Sequence, residues 1–102
     1  MITVTIYRTK DEIKGFIVEG HSDYAEEGAD IVCASVSILS YTALNSLSLV
    51  AGIAPENIEY SVDEDTGLMC LRTLESNYIT DIVYRNFMVG MELLLEDYSD
   101  YI

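Results

Sequence analysis

Ile2, Val4 and Ile6 alternate with Thr3, Thr5 and Tyr7, the two-residue period of a strand with one buried face. Polar residues Thr9 to Glu12 read as a turn, and a second strand over about 13–20 delivers His21 at its C-terminal end. Ser22 to Ala29 shows no apolar period and reads as a loop. Asp30 then stands where a helix N-cap is wanted: its carboxylate can accept the free backbone N–H groups of the first turn, placing Ile31, Val32 and Cys33 at N1 to N3. This helix is expected to reach about Val50 and to end at Gly52, with Pro55 just beyond. Two further strands, over about 57–62 and 68–73, flank the acidic DEDTG stretch at 63–67, which suits a hairpin loop. Ile79, Ile82, Val83, Phe87, Gly90, Leu93 and Leu94 recur at helical spacing in a closing helix over about 75–97.

The order ββαββα without a linker predicts a single α+β domain over 1–102: a four-stranded, largely antiparallel sheet with two helices on one face. The first helix, with Ala, Ser and Leu on several sides, is expected to be the buried element and to be available to a second subunit. The uncovered sheet face would present Tyr7, so a homodimer is expected.

Charge narrows the partners. Eighteen acidic residues against five Lys and Arg leave a net −13, which repels phosphate backbones and anionic membranes and attracts basic proteins. Direct nucleic-acid binding is therefore not expected. The segment 31–54 is apolar but carries Ser35, Ser37, Ser40, Thr42, Asn45, Ser46 and Ser48, so a buried helix is expected rather than a membrane span. The start MITVTIYRTKDE has no basic segment followed by an apolar run, and a cytoplasmic location with free thiols is expected.

Candidate chemistry centres on Cys33 and on His21, the one histidine of the chain. A thiol at N3 lies at the positive end of the helix dipole, and an imidazolium nearby would favour its anion further. The same N–H groups could receive the oxyanion formed when a thiolate attacks a carbonyl. On spacing alone, a core cysteine and a structural histidine remain open. Asp30 could cap the helix, orient His21, or do both, and Ser37, four residues after Cys33, shares its helical face. Cys70, within LMCLR, reads as a buried core thiol. One His and two distant Cys do not make a structural zinc site, and no glycine-rich phosphate loop is present, so no metal or other cofactor is expected.

The pair Gly20–His21, followed by Asp30-Ile31-Val32-Cys33-Ala34 and Ser37, resembles the ribosomal-processing cysteine proteases, the Prp family. The similarity extends over nearly the whole chain, including the MITV start and the EDYSDYI ending. The resemblance implies a ββαββα homodimer in which Cys33 is the nucleophile and His21 its acid/base partner, with Asp30 and Ser37 in support. It implies as substrate a basic ribosomal protein precursor: number twenty-seven of the large subunit, whose N-terminal extension is removed. Ser22, Asp23, Tyr24, Glu26, Glu27 and Gly28 would then belong to a loop that covers the bound peptide. A catalytically inactive dimeric adaptor and a redox-sensing thiol protein are the alternatives.

Overall fold

In the computed structural model, residues 1–26 and 30–102 are described; Glu27 and Gly28, two of the expected loop positions, lie outside them. β1 (Thr3–Thr9) and β2 (Glu12–Glu19) pair through the two-residue turn Lys10–Asp11, where Lys10 takes a positive φ of 53°. β3 (Ile58–Asp63) and β4 (Leu68–Thr73) form the second hairpin, and β4 pairs with β2. The sheet order is β1-β2-β4-β3, antiparallel at every pairing. With α1 (Ile31–Leu49) and α2 (Tyr78–Tyr98), this is the expected ββαββα α+β fold, with a short 3₁₀ turn at Pro55–Asn57 before β3.

A bulge decides which β2 residues reach the core. Tyr7 pairs with Gly15 and Arg8 with Ile13, so Lys14 is the extra residue, and Ile13 faces the helices together with Phe16 and Val18. Phe16 is fully buried, stacked on Phe87 of α2 with ring centroids 4.0 Å apart and edge-on to Tyr84 at 6.2 Å. Met69, Leu71 and Thr73 alternate inward along β4. Burial raises the Tyr84 pKa, and its hydroxyl donates to the Lys14 carbonyl at 3.3 Å while lying 3.2 Å from Thr73 Oγ1. Thus both of these buried hydroxyls are partnered.

Two details depart from the sequence expectations. α2 begins at Tyr78 and not at Glu75, because Asn77 caps it: the Asn77 side chain accepts from the N–H groups of Ile79 and Thr80 at 2.9 and 3.0 Å, and Thr80 Oγ1 accepts from the Asn77 N–H at 3.0 Å. α1 is not buried all round. Val32, Val36, Ser40, Ala43 and Leu47 form one inward stripe, while Ile38 and Leu49 are 64% and 83% exposed. By length and composition α1 could cross a membrane, yet here that stripe is part of the core. The two helices approach closely at Gly90, where a Cβ would sit 2.6 Å from Leu39 Cδ2.

Candidate active site

The site begins with Asp30. Its Oδ1 accepts from the N–H groups of Val32 at 3.0 Å and Cys33 at 2.9 Å, which starts α1 at Ile31 and places Cys33 at N3. Its Oδ2 accepts from the Ser22 hydroxyl and from the Tyr24 and Ala25 N–H groups at 3.2 and 3.5 Å. Partial burial opposes ionisation of this carboxyl, but the Ser22 hydroxyl and the backbone donors outweigh it and bring the pKa from 3.8 to about 2. Among the described residues, no hydrogen bond joins Asp30 to His21. Asp30 is a helix cap that also holds Ser22, Tyr24 and Ala25.

This cap changes the expected oxyanion chemistry. The Cys33 N–H is occupied by Asp30 Oδ1, and the Ala34 N–H by the Asp30 carbonyl at 3.1 Å. Those donors are therefore not free in this state, contrary to the expectation from helix position alone.

Ser22, expected in a substrate-contacting loop, is instead only 2% exposed and lies between Asp30 and Cys33. Its N–H donates to Cys33 Sγ at 3.4 Å, and its Oγ stands 3.3 Å from the same sulfur. With the Ser22 hydroxyl proton directed to the Asp30 carboxylate, Oγ is left to accept from the thiol. Tyr24 packs edge-on against Tyr98 at 5.7 Å and Tyr101 at 5.1 Å, joining this loop to the C-terminal segment. Asp23 and Glu26 are exposed.

His21 arrives by another route. Gly20 has φ +92°, and a Cβ there would sit 2.5 Å from the Met1 carbonyl oxygen, so glycine alone allows the chain to turn out of β2 at this point. The exposed His21 ring then lies against the β3–β4 turn, with Nε2 3.3 Å from the Asp65 carbonyl oxygen.

Cys33 is half-buried and faces open space. A groove of about 300 Å³ runs between α1, lined by Cys33, Val36, Ser37, Ser40 and Tyr41, and the second hairpin, lined by Val62, Asp63, Glu64, Gly67, Leu68 and Met69. His21 lines it too, and a second depression of about 590 Å³ continues from His21, Cys33 and Ser37 toward Asp23, Glu64 and Asp65. Ser37 is exposed on the groove wall and, among the described residues, makes no hydrogen bond to the sulfur. The structure thus brings Cys33, His21, Ser37, Asp30 and Ser22 together, with His21 and Cys33 sharing a groove but joined by no hydrogen bond among the described residues. The hairpin wall was not anticipated from sequence. DEDTG signals a turn but carries no indication of what the turn packs against.

Cys70 corrects a further expectation. It is half-buried and points away from the core, beside Tyr7, Ser61 and Arg72 on the outer sheet face. The sheet therefore separates it from Cys33, and a disulfide between them would require large backbone movement.

A thiol at a helix start and an imidazole across the same groove are the equipment of a cysteine hydrolase. The sequence profile of the family described as cysteine protease Prp matches residues 1–102. The ribosomal processing cysteine protease Prp of Bacillus subtilis strain 168 is 31% identical, with 98% of this chain and 92% of that protein covered. Its Staphylococcus aureus Mu50 counterpart is 27% identical, with 98% and 93% covered. Among solved structures, the essential ribosomal processing protease Prp from S. aureus, in complex with a covalently linked product peptide, superposes with a TM-score of 0.86 at 27% identity, covering 100% of this chain and 95% of that one. SMU.848 from Streptococcus mutans gives 0.82 at 28% identity, covering 99% and 89%. The chain belongs to the ribosomal processing cysteine protease Prp family.

Proposed function

We propose that this protease removes the N-terminal extension of large-subunit ribosomal protein number twenty-seven, with Cys33 as nucleophile and His21 as acid/base. The observation that carries the reading is the half-buried Cys33 sulfur at N3 of α1, open to a groove whose wall includes His21. His21 takes the thiol proton; the thiolate forms a bond to the scissile carbonyl carbon, and the carbonyl π electrons move to oxygen. Collapse of that adduct breaks the C–N bond as His21 returns the proton to the departing amine, leaving a thioester. His21 then takes a proton from water and the resulting hydroxide adds to the thioester; collapse breaks the C–S bond, the sulfur recovers the proton from His21, and the acid product ionises to the new carboxylate.

Asp30 and Ser37 support this chemistry from the helix: Asp30 by holding the first turn, Ser37 from the groove wall. The S. aureus relative has been crystallised with a substrate peptide. A net charge of −13 draws a basic ribosomal precursor toward the site and disfavours nucleic acid. The active species is a homodimer in the cytoplasm, where the exposed Tyr7 face and the apolar outer side of α1 supply surface for a second copy.

The deciding experiment incubates the purified protein with the precursor ribosomal protein of the same organism. Mass spectrometry should show one shortened N-terminus with the native chain and none with Cys33→Ala or His21→Ala. An intact precursor after prolonged incubation with the native chain sinks the substrate assignment.

A further inference from the structure

We propose that the β3–β4 turn is the positioning element of the dyad: the Asp65 carbonyl accepts the Nε2 proton of His21, and the Asp63 carboxylate holds that carbonyl in place. The proposal rests on the dyad reading of Cys33 and His21, and deepens it.

A carbonyl oxygen carries no proton, so across the 3.3 Å contact Nε2 must be the donor. A neutral imidazole has one N–H. With that proton on Nε2, Nδ1 is the basic nitrogen, and it is the atom that takes the thiol proton. After transfer, both nitrogens carry protons and the Asp65 carbonyl still accepts one, so the same contact supports the imidazolium. The residue linked to His21 is 44 positions away in the chain, so only the fold supplies it.

The carbonyl is not placed by chance. Asp63 Oδ1 accepts from the Asp65 N–H at 3.0 Å and the Thr66 N–H at 3.4 Å, a side-chain-to-backbone turn that fixes the peptide plane of residue 65. Gly67, with φ +66°, closes the turn against Gly20 and His21. A Cβ at Gly67 would enter the van der Waals shell of the Gly20 carbonyl oxygen and lie 3.1 Å from His21 Cε1. Two glycines, one at each side of the contact, let the turn seat directly on the strand end that carries the histidine. Among the described residues, Asp63 makes no hydrogen bond to the sulfur or to the ring; it acts through the peptide it holds.

Because His21 is the sole histidine in the chain, its ring nitrogens give unambiguous signals in long-range ¹H–¹⁵N spectra. The native protein should show the Nε2–H tautomer as the dominant neutral form. Asp63→Ala should give a mixture of tautomers and a lower kcat for precursor cleavage with KM little changed, on the order of ten- to a hundredfold, the cost of about 1 Å of misplacement. Asp63→Asn should restore both, since its side-chain oxygen accepts the same two N–H groups. A folded Asp63→Ala protein with native tautomer and native kcat overturns the proposal. Should that variant fail to fold, the native spectrum still decides: a dominant Nδ1–H form overturns it outright. Failure of the underlying dyad reading looks different, for then His21→Ala still cleaves the precursor whatever the tautomer.

Discussion

Replacing Asp30 by Ala removes the cap that starts α1 and that also holds Ser22, Tyr24 and Ala25. Loss of an N-cap side chain costs about 1 kcal/mol, within a range of about 0.5–2. The depressed pKa sets a separate ceiling: a carboxyl at 3.8 unfolded and about 2 folded contributes at most about 2.4 kcal/mol at neutral pH. Because the side chain is partly exposed, solvent screening reduces this toward about 1–1.5 kcal/mol. The two routes agree, and for a domain of this size they imply a Tm lower by roughly 5–10 °C. The sign is set by the depressed folded pKa: the stabilisation is fully present above pH 3.8 and is lost as the pH falls through about 2. Thermal melts of Asp30→Ala and native protein, paired at pH 7, 4, 3 and 2, should therefore show a gap that is constant at the upper end and narrows at the lower. Other carboxylates are common to both proteins and cancel in the difference. A gap unchanged from pH 7 to 2, or no gap at pH 7, refutes the account of Asp30 as an ionised cap.

Iodoacetamide at neutral pH should modify Cys33 in the groove faster than Cys70 on the outer sheet face, with the preference lost in His21→Ala; peptide mapping with equal labelling of both thiols in the native chain would contradict an activated Cys33. Phe16→Ala removes the fully buried ring stacked on Phe87 and should cost about 3–5 kcal/mol, a large part of a typical domain's stability; urea unfolding with a midpoint near that of the native chain would show that this stack is not the core's centre.

Much of the architecture was legible in short windows of sequence. Alternation at Ile2, Val4 and Ile6 marked the first strand; Asp30 three residues before Cys33 marked the helix start; DEDTG marked the hairpin turn. These signals are local because the hydrogen bonds behind them span a few residues. Asn77 with Thr80 was an equally local signal, and it set the start of α2 three residues later than the apolar period suggested. The pair His21 and Cys33 was likewise visible, because both lie within one strand–loop–helix segment.

What tertiary structure alone decided was which groups meet across that framework. Ser22 reads as an ordinary loop serine, yet the fold buries it between a carboxylate and a thiol; Cys70 reads as a core residue, yet the pairing of β4 turns it to the outer face. The groove exists because α1 and the β3–β4 turn, distant in the chain, are brought to the same end of one sheet, and the turn's carbonyl reaches a histidine 44 residues away. Local hydrogen bonding and periodicity determine elements; burial of the sheet against its helices determines their juxtaposition, and the site's walls and long-range hydrogen-bond partners belong to that second step.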